Sequence, residues 1–364
     1  MRKMALVLQG GGALGAYEYG VVTKLVDMGW EPVAVTGVSI GAVNAAAVAG
    51  ARNGDIKASL DAIWGAITLD TVPFWPENMQ GSFSLFGNPN FWRSRTDYLQ
   101  MPSWINLCDT SPMYATLAKY LDFDQINNPG HMRIAVTATS LQTGGPTTFS
   151  NHLEHSAHRR SHSLRAVQQR LGPEHIMASG ALPPGFAPVT IDDCAYWDGG
   201  LFSNTPLDAL LNLLHPDEID SLPIFTIDLF ATRNLPMPQN LLDVQTRALA
   251  LQYENRFWAE YGGEAGPEGF TAMLRQLERE LPADSSLRQD PLTHPDNKAA
   301  VAWQWLQRLR ALANVHVIEG APAAAGGDHD FSAYAVKAAY EAGRAAAGRF
   351  APTEVQQPKL RAVA

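Results

Sequence analysis

The 364-residue sequence predicts an α/β fold with a mostly parallel central sheet and a largely helical C-terminal extension. Two observations carry this prediction. Over the first 50 residues, short apolar runs that end near glycine alternate with segments of helical periodicity, in the order strand, helix, strand, helix. Residues 223–230 form a further, mostly apolar run, which is typical of a buried strand. Helical crossovers are the connections that parallel strands require.

The first elements follow from these patterns. Residues 4–9 are predicted as a buried strand, and the glycines at 10–12 form a tight loop after it. Apolar residues recur at helical spacing over 15–28, residues 32–36 resemble a second buried strand, and the alanine-rich segment 40–51 predicts a helix.

The middle of the chain is less regular. A helix is predicted over 56–67, and residues 70–111 form a long loop in which aromatic side chains alternate with Pro, Asn, Ser and Gly. Two strands are predicted over 133–140 and 146–150, and the polar, basic segment 152–169 is predicted to be helical.

Proline and glycine mark the later boundaries. Residues 177–188 are predicted as a loop, and Pro206 suits the first turn of a helix, where its missing N–H is not needed. We expect a catalytic domain over 1–235, a mostly helical extension packed on it over 236–351, and a flexible tail over 352–364. In the extension a strand is predicted over 315–319, and helices over 240–260, 267–281, 297–312 and 332–348.

Composition narrows the classes of function. Hydrophobic residues make up 46% of the chain and charged residues 17%, which argues against disorder. The net charge of −9 and the absence of a long basic run argue against a nucleic-acid partner. Cys108 and Cys194 form no CxxC pair, so neither a disulfide scaffold nor a structural zinc site is expected. The sequence shows no transmembrane run, and the apolar run at 5–8 is too short for a signal peptide, so we expect a cytoplasmic protein, with peripheral contact at a membrane left open.

A candidate nucleophile lies between the second strand and the next helix. Residues 37–41 read Gly-Val-Ser-Ile-Gly, which matches G-x-S-x-G in the strand–turn–helix context that a nucleophile elbow requires. The turn presents the hydroxyl of Ser39, and the N-terminus of the following helix points at developing negative charge. The alternative is an ordinary tight turn in which Ser39 caps the helix.

The glycine run after the first strand has two interpretations. Residues 10–15 satisfy the G-x-G-x-x-G dinucleotide fingerprint, but the second strand ends in Thr36-Gly37 rather than in the acidic residue that holds a ribose. The better interpretation is an oxyanion hole, because glycine amides can converge on one oxygen without interference from side chains. Loops that follow neighbouring parallel strands lie at the same edge of the sheet, which brings this loop close to Ser39.

A candidate base follows Trp197. Asp198-Gly199-Gly200 alone indicates only a turn. A nucleophilic serine, however, needs a group that accepts its proton. Asp198 can serve directly if it is desolvated, since burial raises the pKa of a carboxyl group.

Four motifs in this order resemble the patatin-like phospholipase family: GGGALG at 10–15, GVSIG at 37–41, ASGALP at 178–183 and DGG at 198–200. The resemblance covers roughly residues 4–232. It departs from many members at Leu14, where they carry Arg or Lys. The segment after residue 234 is similar to the C-terminal extension of a bacterial branch.

The resemblance implies a three-layer α/β sandwich that hydrolyses acyl esters of lipids with a Ser–Asp dyad. Ser39 is then the nucleophile and Asp198 the base, and the amides of Gly10, Gly11 and Gly12 form the oxyanion hole. The implied partner is a lipid or other acyl ester, as for a phospholipase, lysophospholipase or esterase, and no metal or organic cofactor is expected.

Two histidine patterns offer alternatives. His329, in the sequence Gly-Asp-His-Asp, is the candidate for a Ser–Asp–His triad in place of the dyad. His152, His155, His158 and His162 share one face of the predicted helix. That stripe is interpreted first as a solvated basic face, with a metal site and a contact for anionic headgroups as alternatives.

The aromatic loop supplies the candidate substrate residues. A long acyl chain needs an apolar wall, which the glycine-rich motifs lack. Trp75, Phe91 and Trp92 are therefore predicted to bind the acyl chain, and the alternative is a satellite core beneath the C-terminal helices. Two other functions stay open at this point: a nucleotide-binding module that uses the loop at 10–15, and a catalytically silent lipid-binding protein.

Overall fold

The computed structural model describes residues 2–70, 74, 76, 86–128, 130–152, 165–230, 237–253, 266–291, 293–294, 296–320 and 327–350. The strands are β1 Arg2–Leu8, β2 Trp30–Gly37, β3 Gly87–Asn88, β4 Trp92–Ser94, β5 Cys108–Asp109, β6 Arg133–Ser140, β7 Pro146–Ser150, β8 Arg165–Gln168, β9 Val189–Ile191, β10 Cys194–Asp198, β11 Ile224–Asp228 and β12 Val315–Glu319. The helices are α1 Gly15–Asp27, α2 Ile40–Ala49, α3 Ile56–Ile67, α4 Ser111–Tyr120, α5 Phe123–Ile126, α6 Pro173–Ser179, α7 Leu207–Leu211, α8 Leu241–Tyr253, α9 Gly266–Glu280, α10 Lys298–Arg308 and α11 Ala333–Ala347.

A mixed, mostly parallel sheet forms the centre of the fold, as the sequence predicts. Its strands lie in the order β12-β11-β1-β2-β6-β10-β9, with β7 and β8 along the other edge of β6. The pairs from β12 through to β6 are parallel, as is the β7–β8 pair. The pairs β6–β10, β10–β9 and β6–β7 are antiparallel. The predicted strand over 315–319 is thus confirmed, as β12 at the edge beside β11.

The buried side chains of β1 divide the core into two layers. Because successive residues of a strand point to opposite faces, Met4, Leu6 and Leu8 pack with α1, α2 and α3. Ala5 and Val7 face α7 and the residues before β12. Helices therefore cover both faces of the sheet, which confirms the three-layer α/β architecture.

Several local predictions are wrong. Residues 165–168 form β8 rather than the end of a helix over 152–169, because they pair with the exposed edge of β7. Sheet pairing here overrides local helical propensity. The loop predicted over 177–188 begins inside α6, and the loop over 70–111 contains a small antiparallel sheet of β3, β4 and β5.

Some predictions lie outside the described residues. These are Trp75, the histidines at 155, 158 and 162, and the tail over 352–364. Within the described residues, no helix combines the length and the apolar composition needed to cross a bilayer.

The C-terminal helix α11 packs closely along α1. A Cβ atom added at Gly20 would overlap the carbonyl oxygen of Tyr340, and one added at Gly343 would overlap that of Tyr17. The two backbones approach this closely because both contact positions are glycine, which ties the last described helix to the first.

We expect Gly343→Ala to lower the free energy of unfolding by about 1–3 kcal/mol, because the methyl group forces the two helices apart. Gly65→Ala in α3 is the matched control, since a Cβ atom there meets open space. That variant should be neutral or gain up to about 1 kcal/mol from helix propensity. Urea unfolding followed by circular dichroism makes the comparison, and equal stabilities for the two variants would contradict the close packing.

Candidate active site

Ser39 lies in a sharp turn between β2 and α2. Its backbone has φ 55° and ψ −123°, a conformation that residues other than glycine rarely adopt. The flanking glycines permit the turn. A Cβ atom at Gly37 would overlap the carbonyl of Gly41, and one at Gly41 would overlap that of Leu8. The strained conformation places Ser39, partly exposed, at the N-terminus of α2, as a nucleophile elbow requires.

Ser179, the last residue of α6, holds this turn by hydrogen bonds. The N–H of Ser39 lies 3.1 Å from both the carbonyl oxygen and the hydroxyl of Ser179. The Ser179 hydroxyl donates in turn to the carbonyl of Thr137, at 2.6 Å. Ser179 is fully buried. The motif at 178–183 therefore has a structural role that its residue types alone do not reveal.

Asp198 lies beside Ser39 because the C-terminal ends of β2 and β10 converge along one edge of β6. β7 occupies one edge of β6, so β2 and β10 share the other edge. There, Gly37 at the end of β2 pairs with Val136, and Asp198 at the end of β10 pairs with Ala138. Because β10 runs antiparallel to β6, the ends of the two strands converge. The sequence could not predict this antiparallel junction.

The carboxylate of Asp198 is buried and hydrogen-bonded. The side chain of Ser39 donates to it, and so does the N–H of Gly200, at 2.7 Å. Burial raises the pKa of Asp198 from 3.8 to about 6, while these two hydrogen bonds act in the opposite direction. The group is thus ionised at neutral pH and is more basic than an exposed aspartate.

The backbone of Asp198 is held on both sides. Its N–H donates to the carbonyl of Ala181, at 3.0 Å. Its own carbonyl accepts from the hydroxyl of Thr139, at 2.8 Å. The carboxylate therefore projects from a fixed position on the sheet.

In the glycine loop after β1, the structure makes Gly10 a poorer oxyanion-hole candidate than the sequence predicts. Asn204 holds Gly10 on both sides: the Gly10 N–H donates to its Oδ1 and the Gly10 carbonyl accepts from its Nδ2, each at 3.0 Å. The amide of Gly10 is thus already engaged. Within the described part of the chain, the amides of Gly11 and Gly12 have no such acceptor. The candidate oxyanion hole accordingly narrows from three glycines to these two.

A buried polar network lies beneath this loop. The carboxylate of Glu18 accepts from the N–H of Gln9, at 2.6 Å, and from Nδ2 of Asn44, at 2.9 Å. Glu18 is completely buried, and burial raises its pKa well above the usual range. The Gln9 side chain also ties the end of β1 to Thr205, at 2.7 Å, and to Leu229, at 2.8 Å.

Sequence reasoning missed both Glu18 and Asn204. For Glu18 a signal existed, because a charged residue occupies the face of α1 that also carries Val22 and Leu25. Asn204 gave no such signal, since its role depends on contact with a loop 194 residues earlier in the chain.

The segment before α11 closes over the glycine loop. A Cβ atom at Gly12, where φ is +55°, would overlap the carbonyl of Asp328. The neighbouring His329 interacts with the Asp328 carboxylate, with 3.5 Å between Nδ1 and Oδ1, and this interaction raises the pKa of the imidazole. His329 lines the same cavity as Ser39, but the side chain that Ser39 contacts is Asp198. The geometry thus favours the dyad over the triad.

A cavity of about 330 Å³ opens at these residues. Its lining is mainly apolar, with the polar groups gathered around Ser39. The lining residues are Gly10–Gly12, Ser39, Ile40, Val43, Phe91, Trp92, Cys108, Met113, Ile176, Met177, Gly180, Leu182, Phe186, Asp198, Asn204, Phe230, Tyr253, Asp328, His329 and Phe331.

An aromatic cluster forms one wall of the cavity. The ring of Phe91 packs edge-on against Trp92, with 4.8 Å between centroids, and against Phe331, at 5.6 Å. Phe186 completes the cluster, 5.8 Å from Phe91. Two of the three predicted acyl-chain residues therefore line the cavity with Ser39, and they also pack against the C-terminal segment as the alternative interpretation expected.

Among the described residues, no group of His, Cys, Asp and Glu side chains is arranged to hold a metal ion. In the predicted histidine stripe, His152 packs edge-on against His215, with 5.4 Å between ring centroids. The remaining members of the stripe lie outside the described residues.

No curated protein sequence matches the chain. Among solved structures, it is similar to VipD from Legionella pneumophila, with 13% sequence identity and a TM-score of 0.37, over 95% of this chain and 67% of VipD. The family model described as patatin-like phospholipase matches residues 6–211, which contain all four sequence motifs. The chain therefore belongs to the patatin-like phospholipase family.

Proposed function

We propose that this protein hydrolyses acyl ester bonds of lipids, with Ser39 as nucleophile and Asp198 as general base. The observation that carries the proposal is the hydrogen bond from the strained, accessible Ser39 to a buried carboxylate with a raised pKa. Family membership supports a lipid acyl hydrolase in general. The roles of the individual residues rest on their geometry.

The acylation step begins with attack by the Ser39 oxygen on the ester carbonyl. The new C–O bond forms as the hydroxyl proton passes to Asp198. A base with a pKa of about 6 is ionised at pH 7, and it is better matched to this task than an exposed aspartate. Protonation also removes a charge from the buried site.

The oxyanion that forms needs hydrogen-bond donors. The free amides of Gly11 and Gly12 line the cavity beside Ser39 and are the candidate donors. The N-terminus of α2, which begins immediately after Ser39, adds its positive dipole end. As the tetrahedral intermediate collapses, the alcohol leaves with the proton that Asp198 holds.

Deacylation uses the same groups in reverse order. The ionised Asp198 takes a proton from water, and the oxygen of that water attacks the acyl-enzyme. The glycine amides hold the second oxyanion. Release of the carboxylic acid restores the hydroxyl of Ser39.

The nucleotide-binding alternative has less support. The second strand ends in Thr36 and Gly37, with no acidic side chain for a ribose. The Gly10 N–H already donates to Asn204, and the backbone of Asp328 lies against Gly12. A phosphate would have to displace these contacts. A catalytically silent lipid-binding protein would not explain the strained backbone of Ser39 beside a raised-pKa carboxylate.

We expect Ser39→Ala to abolish hydrolysis of a short-chain p-nitrophenyl ester, and Asp198→Asn to lower kcat by roughly 10³-fold or more. His329→Gln is the matched control, since it changes another polar group of the same cavity. A fluorophosphonate probe should label the wild type and not Ser39→Ala. If Asp198→Asn kept about a tenth of wild-type activity, or His329→Gln lost as much as Asp198→Asn, the dyad assignment would be wrong.

The pH dependence follows from the raised pKa of Asp198. Because the base must be ionised, kcat/KM should be constant above about pH 6 and should fall tenfold per pH unit below it. The measurement is initial rate against pH on a neutral ester. His329→Gln should leave the midpoint in place, whereas a midpoint near 4 would show that Asp198 is not desolvated.

The aromatic wall predicts chain-length selectivity. Phe91→Ala should reduce kcat/KM for a long-chain ester about tenfold more than for a butyrate ester, because a longer chain loses more apolar contact. Val22→Ala, a buried change in α1 that is absent from the cavity lining, controls for general destabilisation. Equal losses on both substrates, together with a lowered melting temperature, would identify Phe91 as core alone.

A further inference from the structure

The loop over residues 98–107 exposes an unusual amount of apolar surface. Leu99 is completely exposed and Ile105 is 68% exposed. The other apolar side chains of the loop that are more than half exposed are Tyr98, Met101 and Leu107. Single exposed apolar residues are common on proteins, but five within ten consecutive residues concentrate apolar surface in one loop, which is typical of an interaction site.

This loop is braced at its base. The side chain of Arg95 forms a salt bridge with Asp97, donates to Asn106 at 3.2 Å, and lies 4.7 Å from the ring centroid of Trp104. The Arg95 N–H also donates to the carbonyl of Leu107, at 3.2 Å. Arg95 therefore joins both limbs of the loop and holds its apolar side chains away from the protein body.

The loop lies beside the catalytic cavity. The N–H of Leu107 donates to the carbonyl of Pro184, at 3.0 Å, and the N–H of Cys108 donates to that of Gly185, at 2.8 Å. Cys108, Leu182 and Phe186 line the cavity itself. The loop that carries the exposed side chains is thus hydrogen-bonded directly to the wall of the cavity.

The charge of the loop points to the nature of its partner. Between residues 95 and 108 the only Asp, Glu, Lys, Arg or His residues are Arg95 and Asp97, and their opposite charges form a salt bridge. Tyr98 and Trp104 pack together, with 6.0 Å between centroids. Such amphipathic rings suit the boundary between water and hydrocarbon.

We propose that the 98–107 loop inserts into the surface of a lipid bilayer or micelle and so positions the cavity mouth over its substrate. This inference rests on the proposed function, because it takes the substrate to be a lipid. Binding depends on apolar insertion, so it requires no anionic lipid. A protein partner would have to provide a pocket for each projecting side chain, whereas the acyl region of a lipid surface accepts them without a fixed shape.

The test uses the full chain carrying Ser39→Ala, so that the vesicles stay intact, and phosphatidylcholine vesicles in a sedimentation assay. Leu99→Ser combined with Ile105→Ser should lower the partition coefficient at least tenfold. Raising NaCl from 0.1 to 1 M should not weaken binding of the parent protein, since no ion pair contributes.

A matched control comes from helix α9. Met273 and Leu277 are 46% and 44% exposed. Helix α9 packs against residues 309–314, which precede β12 and so lie at the N-terminal end of the parallel strands. The cavity lies at the C-terminal ends of these strands, since Gly10, Ser39 and Phe230 follow β1, β2 and β11. Met273→Ser combined with Leu277→Ser should leave vesicle binding within about twofold of the parent, because helix α9 packs at the other end of the parallel strands from the cavity.

The outcomes separate this inference from the proposed function. With Ser39 intact, the loop variant should lose hydrolysis of vesicle lipid but keep hydrolysis of a soluble butyrate ester, which tests the dyad independently. No binding by the parent, equal loss in the control variant, or binding that salt abolishes would each overturn the inference. A change in the molar mass of the loop variant by light scattering would instead identify a second copy of the chain as the occupant, and would overturn it too.

Discussion

The buried carboxylate of Asp198 is the constraint around which the site is organised. A desolvated carboxylate is unfavourable unless it is hydrogen-bonded, and here the partners are Ser39 and the amide of Gly200. The same desolvation that raises its pKa makes it a usable base. The sheet meets this requirement by bringing the ends of β2 and β10 together along one edge of β6. The Asp198 backbone is held there as well, because its carbonyl accepts from the Thr139 hydroxyl and its N–H donates to the Ala181 carbonyl.

The strained backbone of Ser39 is held by the same strand that positions Asp198. Its positive φ persists because the N–H is held by Ser179, which is itself anchored to Thr137 on β6. The proposed nucleophile and base are therefore both held by β6, Ser39 through Ser179 and Thr137 and Asp198 through Thr139. A shift of β6 would move both groups together, which preserves their hydrogen bond.

The sequence predicted the parallel half of the sheet and the residues at its loops, because apolar runs and glycine loops are local signals. It could not predict what depends on pairing between distant segments. β8 forms because β7 offers a free edge, and Gly10 is removed from the candidate donors by Asn204, a contact between residues far apart in the chain. The buried Glu18 left a local trace as a charge on an apolar face, yet its role required the positions of Gln9 and Asn44.

The C-terminal part of the chain contributes to the cavity rather than to the proposed dyad. Residues 6–211, which the family model covers, hold both members of the proposed dyad and the glycine loop. The cavity, however, is also lined by later residues, namely Phe230, Tyr253, Asp328, His329 and Phe331, and Phe331 packs directly on Phe91. The boundary predicted at 235 falls between β11 and β12, two neighbouring strands of one sheet. The later segment therefore shapes the cavity proposed for the acyl chain, whereas the proposed dyad lies on the earlier segment. If both proposals hold, acyl-chain selectivity can change without movement of Ser39 or Asp198.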